Sequence, residues 1–225
     1  MEPITEQDIA NFLINSPDFF ERHAQLLASV QLTSPHGNRA VSLQERQAEM
    51  LREKIKALEQ RIMEMVRHGN DNMVIADRMQ RWVLTLLRVS ESRELPQRLA
   101  DELARQFIVP QVAIRVWGVD DAYADEAFAS GVSEDAQAFA SSLTAPYCGV
   151  NNGFEAVQWL ADPSVAASVA LLPLRAGAIN SPGAAFGMLV LASPDSQRFH
   201  SGMGTDFLER IAELASAALS RLREA

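Results

Sequence analysis

One thiol, four scattered histidines and one polar loop are the places where this chain could do chemistry. Cys148 sits in Tyr147-Cys148-Gly149. A free cysteine can act as nucleophile, redox sensor or covalent anchor, but each role needs a basic neighbour that lowers the thiol pKa. None stands near it in sequence, so a structural thiol is the expectation. The histidines at 23, 36, 68 and 200 have no i, i+3 or i, i+4 partner of the zinc-enzyme kind, so no metal site is expected. The stretch SPDSQRFHSGMGTDFL (193–208) gathers hydroxyls, carboxylates, Arg198 and His200 beside two glycines. Such a loop either holds an anion at a helix N-terminus or joins a strand to a helix. Its residues fit the second role. Pro194 stops a strand because it cannot donate to a ladder. Phe199 packs before the helix, Ser201 or Thr205 caps it, and Arg198 pairs with Asp195. No Walker-type lysine loop, Gly-x-Ser-x-Gly elbow or Gly-x-Gly-x-x-Gly fingerprint occurs. The chain is therefore expected not to be an enzyme.

The elements that would position these residues follow from periodicity. Thr5 and Asp8 form a capping box ahead of Ile9, Phe12 and Leu13, and Ser16-Pro17 opens a second short helix. TSPHGN (33–38) is turn chemistry. From the capping box at Ser42-Leu43-Gln44-Glu45, a heptad register with Ala48 at a places Leu51, Ile55, Leu58, Ile62, Met65, Met79, Val83 and Leu86 on one seam. Sustained heptads argue for a coiled coil, roughly 70 Å long over 42–90. Lys54 at g and Glu59 at the next e favour a parallel pair of chains. The seam weakens at HGNDN (68–72), either as a break between two helices or as a hinge.

Beyond residue 90 the pattern changes. Leu95, Leu99, Leu103 and Phe107 mark a helix, and QVAIRVWG (111–118) alternates as a strand. The acidic span 119–131 carries a short strand near 126–129, and Ser133 caps a helix over 133–143. APYCGVNNG (145–153) reads as a loop and FEAVQWL as a short helix. SVALLPLRAG and AAFGMLVLAS are apolar strands joined by AINSPG, and a final helix follows. Helices around a small, mostly antiparallel sheet make an α+β domain. Three segments are expected: 1–40 helical, 41–90 long helix, 91–225 globular.

Hydrophobic residues make up 48% of the 225, enough for a substantial core. The net charge of −9 is uneven: residues 91–225 hold seventeen Asp/Glu against nine Arg and no Lys. That acidity repels nucleic acid and anionic membranes, so neither is an expected partner. A single cysteine suits a reducing compartment, and no secretory signal or membrane-length apolar run is visible. A cytoplasmic location is expected.

The closing series SVALLPL…AFGMLVLASPDSQRFHSGMGTDFLERIAELASAAL resembles the last third of a GAF domain, the small-molecule sensor module of many regulators. The pieces SPDFFERHAQLL, SPHGNRAVSLQERQAEMLREKI, GNDN, SVALLPL and SPDSQRFHSGMGTDFL together resemble one uncharacterised bacterial family of unknown function. That family has an N-terminal helical segment and a GAF-like C-terminal domain. The resemblance implies the GAF-like fold and a pocket between the sheet and its covering helices. The walls it implies are Arg115 or Trp117, Tyr147, Cys148, Trp159 and Arg175. It implies no cofactor and no catalytic residue. The Asn-Lys-Phe-Asp-Glu motif of cyclic-nucleotide-binding GAF domains is missing. The GAF-type methionine-sulfoxide reductase needs several cysteines where this chain has one. The combined expectation is a regulatory homodimer that acts on a partner protein. The alternatives are a scaffold whose core is self-filled and a redox enzyme dependent on Cys148.

Overall fold

The computed structural model describes residues 4–16, 18–29, 43–177, 179 and 183–223. The TSPHGN turn, the caps at Pro17 and Ser42, and most of the AINSPG connection lie outside the described residues. The chain divides into two compact units, Met1–Gly69 and Asn70–Ala225.

In the first unit the capping box forms as expected. The Thr5 backbone N–H donates to Asp8 Oδ2 at 2.9 Å, and the Asp8 N–H donates to Thr5 Oγ1 at 3.3 Å. It opens α1 (Glu6–Asn15). The single second helix expected from Ser16 is instead two, α2 (Phe19–Arg22) and α3 (Ala24–Ser29). Between them His23 leaves helical geometry at φ −123°, ψ 45°. Helix α4 (Leu43–Leu87) runs through His68–Asn72 as unbroken helix. Within the first unit its seam residues Leu51, Ile55, Leu58, Ile62 and Met65 are 50–68% exposed. A regular apolar stripe left in water is unusual for a helix of this length.

The second unit takes in the C-terminal part of α4, which the heptads had assigned to the rod. There Met79, Trp82 and Leu86 are buried and Val83 packs against the same core, beside Leu95, Leu99 and Leu103 of α5 (Leu95–Phe107). The Trp82 indole N–H donates to the Leu99 carbonyl at 3.3 Å. Met79, Val83 and Leu86 thus meet the chain's own core.

Four antiparallel strands, β1 (Gln111–Val116), β2 (Tyr147–Val150), β3 (Ser168–Leu174) and β4 (Gly187–Ser193), form one sheet in the order β1-β4-β3-β2. The expected loop at 145–153 therefore contains a strand. β2 pairs with β3 from Tyr147↔Leu171 to Val150↔Ser168. Its glycine and flanking loop signals masked a ladder that only the partner strand supplies. The strand expected near 126–129 is a turn, held to the sheet where the Val116 N–H donates to the Phe128 carbonyl at 2.9 Å. Every residue of β3 and β4 is buried because both faces of the sheet are covered. On one face α5 lies over β1, and α7 (Asp206–Leu219) lies over β3. The other face carries α6 (Glu134–Ser142) and a 3-10 turn, Glu155–Trp159.

Gly187 in β4 has backbone packed against the position that a side chain would take. A Cβ there would sit 2.8 Å from the Arg115 carbonyl oxygen and 2.9 Å from a Leu174 methyl. Since a backbone atom must move, Gly187→Ala is expected to destabilise the protein by about 1–3 kcal/mol, read as a lower urea midpoint.

The 193–208 connection is built from internal bonds. The Ser168 hydroxyl donates to the Asp195 carbonyl at 2.6 Å, the Asp195 carboxylate accepts from the Gln197 N–H at 2.9 Å, and Phe199 is buried. Two details differ from expectation. Arg198 donates through Nη2 to the Phe107 carbonyl at 2.8 Å, which serves the negative end of α5, and not to Asp195. Thr205 precedes α7 with a near-helical backbone (φ −97°, ψ −5°), and its hydroxyl donates to Glu209 Oε1 at 2.7 Å instead of capping.

Candidate functional site

Alternation along the strands sorts the candidate residues by face. Ala113 of β1 belongs to the cluster under α6 and the 3-10 turn, while Ile114 and Val116 belong to the cluster under α5 and α7. Arg115 shares Ala113's face. Its Cζ lies 5.8 Å from the centroid of the Trp159 ring, and its Nη1 donates to the Ile114 carbonyl at 3.0 Å. Burial alone lowers the Arg115 pKa. Arg115 Nε and Trp159 Nε1 are buried and have no acceptor among the described residues.

The segments that hold this pair are pinned at several points. Both ends of α6 are tied by charge. At its N-terminus the Ser133 N–H donates to Glu155 Oε1 at 3.0 Å and the Ser133 hydroxyl donates to Glu155 Oε2. These bonds hold the Glu155 carboxyl below its usual range and fasten the turn that carries Trp159. At the C-terminus Arg175, 4% exposed, donates through Nη2 to the Ser141 carbonyl at 2.6 Å and the Leu143 carbonyl at 2.9 Å. Its Nη1 donates to the Gly183 carbonyl. A cation here satisfies carbonyls that a helix end leaves orphaned. Arg175 is thus committed to backbone and is not positioned as a ligand-binding cation. Past the turn, Gln111 and Asp162 exchange two hydrogen bonds of 2.8 Å, which anchor the following loop to β1.

The remaining candidates separate. Tyr147 leans over Gly149 and packs edge-on against Phe154 at 5.0 Å, while Phe154 stacks on Phe139 at 5.5 Å. Cys148 alternates to the opposite face, in the cluster with α5 and α7. Its thiol is buried and pushed up to about 11 by that burial. At pH 8 the thiolate is then roughly a thousandth of the population. Native protein is expected to resist a thiol-specific disulfide reagent that labels it fully in denaturant.

Trp117 lies apart from the Arg115–Trp159 pair and donates its indole N–H to the Ala185 carbonyl at 2.7 Å. It borders a cleft of about 350 Å³ shared with Gln137, Ser141, Phe186 and Arg223. The Arg223 guanidinium lies 4.8 Å from the Phe186 ring centroid. Sequence reasoning missed Gln137, Ser141, Phe186 and Arg223, which carry no motif and meet only through the sheet. Among the described residues no group of three or more His, Cys, Asp or Glu could hold a metal, and no helix is long and apolar enough to cross a membrane.

An antiparallel sheet with its helical pair on one face and a sheltered aromatic face on the other makes an α+β domain. The whole chain can be placed more narrowly. It matches the family model described as "Protein of unknown function, DUF484" over residues 1–224 and belongs to that family. No curated protein matches it. It is similar to solved structures at low identity. One is a GAF domain from Pseudomonas syringae pv. tomato, at 15% identity and TM-score 0.45, covering 70% of this chain and 92% of that one. Another is the GAF domain from Acinetobacter phosphoenolpyruvate-protein phosphotransferase, at 11% and 0.44, covering 65% and 92%. A third is free methionine-R-sulfoxide reductase from Neisseria meningitidis in complex with its substrate, at 16% and 0.42, covering 65% and 88%.

Proposed function

We propose that this protein is a non-catalytic, cytoplasmic regulator: a parallel homodimer in which a GAF-like sensor domain acts through helix α4 on a separate partner protein. The observation that carries this reading is the exposed stripe Leu51, Ile55, Leu58, Ile62 and Met65, which keeps heptad register on a helix whose far end is built into the globular core. A second copy in parallel covers that stripe and brings Lys54 opposite Glu59 of its partner. Burial of the seam drives association, and the charge pair sets direction. No small-molecule cofactor is part of this reading.

A scaffold without ligand is the second reading. It is favoured by the aromatic side chains Phe139, Tyr147 and Phe154, which fill part of the face under α6 with the protein's own rings. Native mass spectrometry of protein purified from its own host separates the two. A dimer carrying a small molecule supports the sensor. A ligand-free dimer supports the scaffold, and a monomer contradicts both.

A further inference from the structure

Two buried donors with nothing to donate to lie side by side on the face under α6. Trp159 Nε1 and Arg115 Nε are both out of contact with solvent, and no acceptor among the described residues reaches either. A buried unsatisfied N–H costs about 1–3 kcal/mol, so native proteins seldom keep two together. The chain's other indoles are satisfied, Trp82 by the Leu99 carbonyl and Trp117 by the Ala185 carbonyl.

Charge points the same way. The globular half holds seventeen carboxylates against nine arginines. None of the ion pairs found among the described residues involves Arg115. Water could accept from the two N–H groups but would leave the half-buried cation without a counter-charge. With Nη1 committed to Ile114, the guanidinium offers its Nε edge, the fork that matches the two oxygens of a carboxylate. A single positive charge in an acidic domain balances a monoanion better than a phosphate dianion.

We infer that Arg115 and Trp159 form a binding site for the carboxylate of a small organic acid. Arg115 Nε holds the charge and the Trp159 indole N–H supplies the second bond. This names a ligand class for the sensor reading and rests on it.

The test is a ¹H–¹⁵N spectrum of the full-length protein, whose three tryptophans give three indole resonances. Trp159→Phe assigns the one in question. Acetate and benzoate are titrated against inorganic phosphate and chloride at matched ionic strength. The expected result is a saturable downfield movement of the Trp159 indole proton with the carboxylates, while the Trp82 and Trp117 resonances stay in place. Arg115→Gln is expected to weaken the midpoint about tenfold or more. Arg115→Lys keeps the charge without the fork and is expected to fall between, which provides a folded comparison if the Gln variant unfolds. No saturable movement, or an equal response to phosphate, overturns the site. An unmoved Trp159 resonance in a protein that sediments as a dimer rejects this site alone. A monomer with a carboxylate-responsive Trp159 rejects the helix-coupled regulator and keeps the site.

Discussion

Ile55→Lys combined with Ile62→Lys yields a folded monomer. Both side chains are more than half exposed within the chain, at 55% and 59%, so their loss costs the isolated fold little. Lysine is also a good helix former. In a dimer each change counts twice. Burying an isoleucine is worth about 1.5–3 kcal/mol, so the dissociation constant rises on the order of a thousandfold or more. Sedimentation velocity checks the association state, and the globular unit of the variant is expected to stay folded, losing no more thermal stability than the dimerisation it removes. The control is Leu86→Lys. It occupies the same heptad seam but is 4% exposed in the globular core, and it is expected to unfold that unit.

Arg175→Met is expected to lower stability by about 3 kcal/mol, because the carbonyls at the end of α6 lose their donors and stay buried. The side chain reaches Ser141, Leu143 and Gly183, and its own backbone N–H is held by Ser216 Oγ at 3.0 Å. One residue thus ties the end of β3 to α6 and to α7. Arg175→Lys restores the charge but offers one ammonium where a planar fork serves four carbonyls, those of Ala140, Ser141, Leu143 and Gly183, so it is expected to recover less than half of the loss. Urea denaturation of the three proteins measures the order. A variant of wild-type stability contradicts the assigned role.

Most helices were legible because they carry their own signals, although the break at His23 between α2 and α3 left none. Thr5 with Asp8, Ser133 before α6, and the leucines at 95, 99 and 103 declare start, cap and buried face locally. Strand β2 was not legible, because Cys148 and Gly149 look like loop until Ala170 and Val169 are placed beside them. The heptads show the same limit. Periodicity puts Leu58 and Leu86 on one stripe but cannot tell that the second meets α5 while the first meets water. The candidate site was partly readable. Of the candidate positions, Arg115 and Trp159 come together, while Trp117 bonds to Ala185, Cys148 lies on the opposite face of the sheet and the end of α6 claims Arg175. Which arginine caps a helix and which is left with an unpaired donor depends on partners distant in the chain, Leu143 for Arg175 and Trp159 for Arg115.

The central claim is that the exposed stripe of α4 is one half of a dimer. Sedimentation equilibrium of the full-length protein at micromolar concentration tests it most directly. The account predicts a species of twice the 24.7 kDa chain mass, independent of salt because apolar burial drives it. A single species at the chain mass contradicts it.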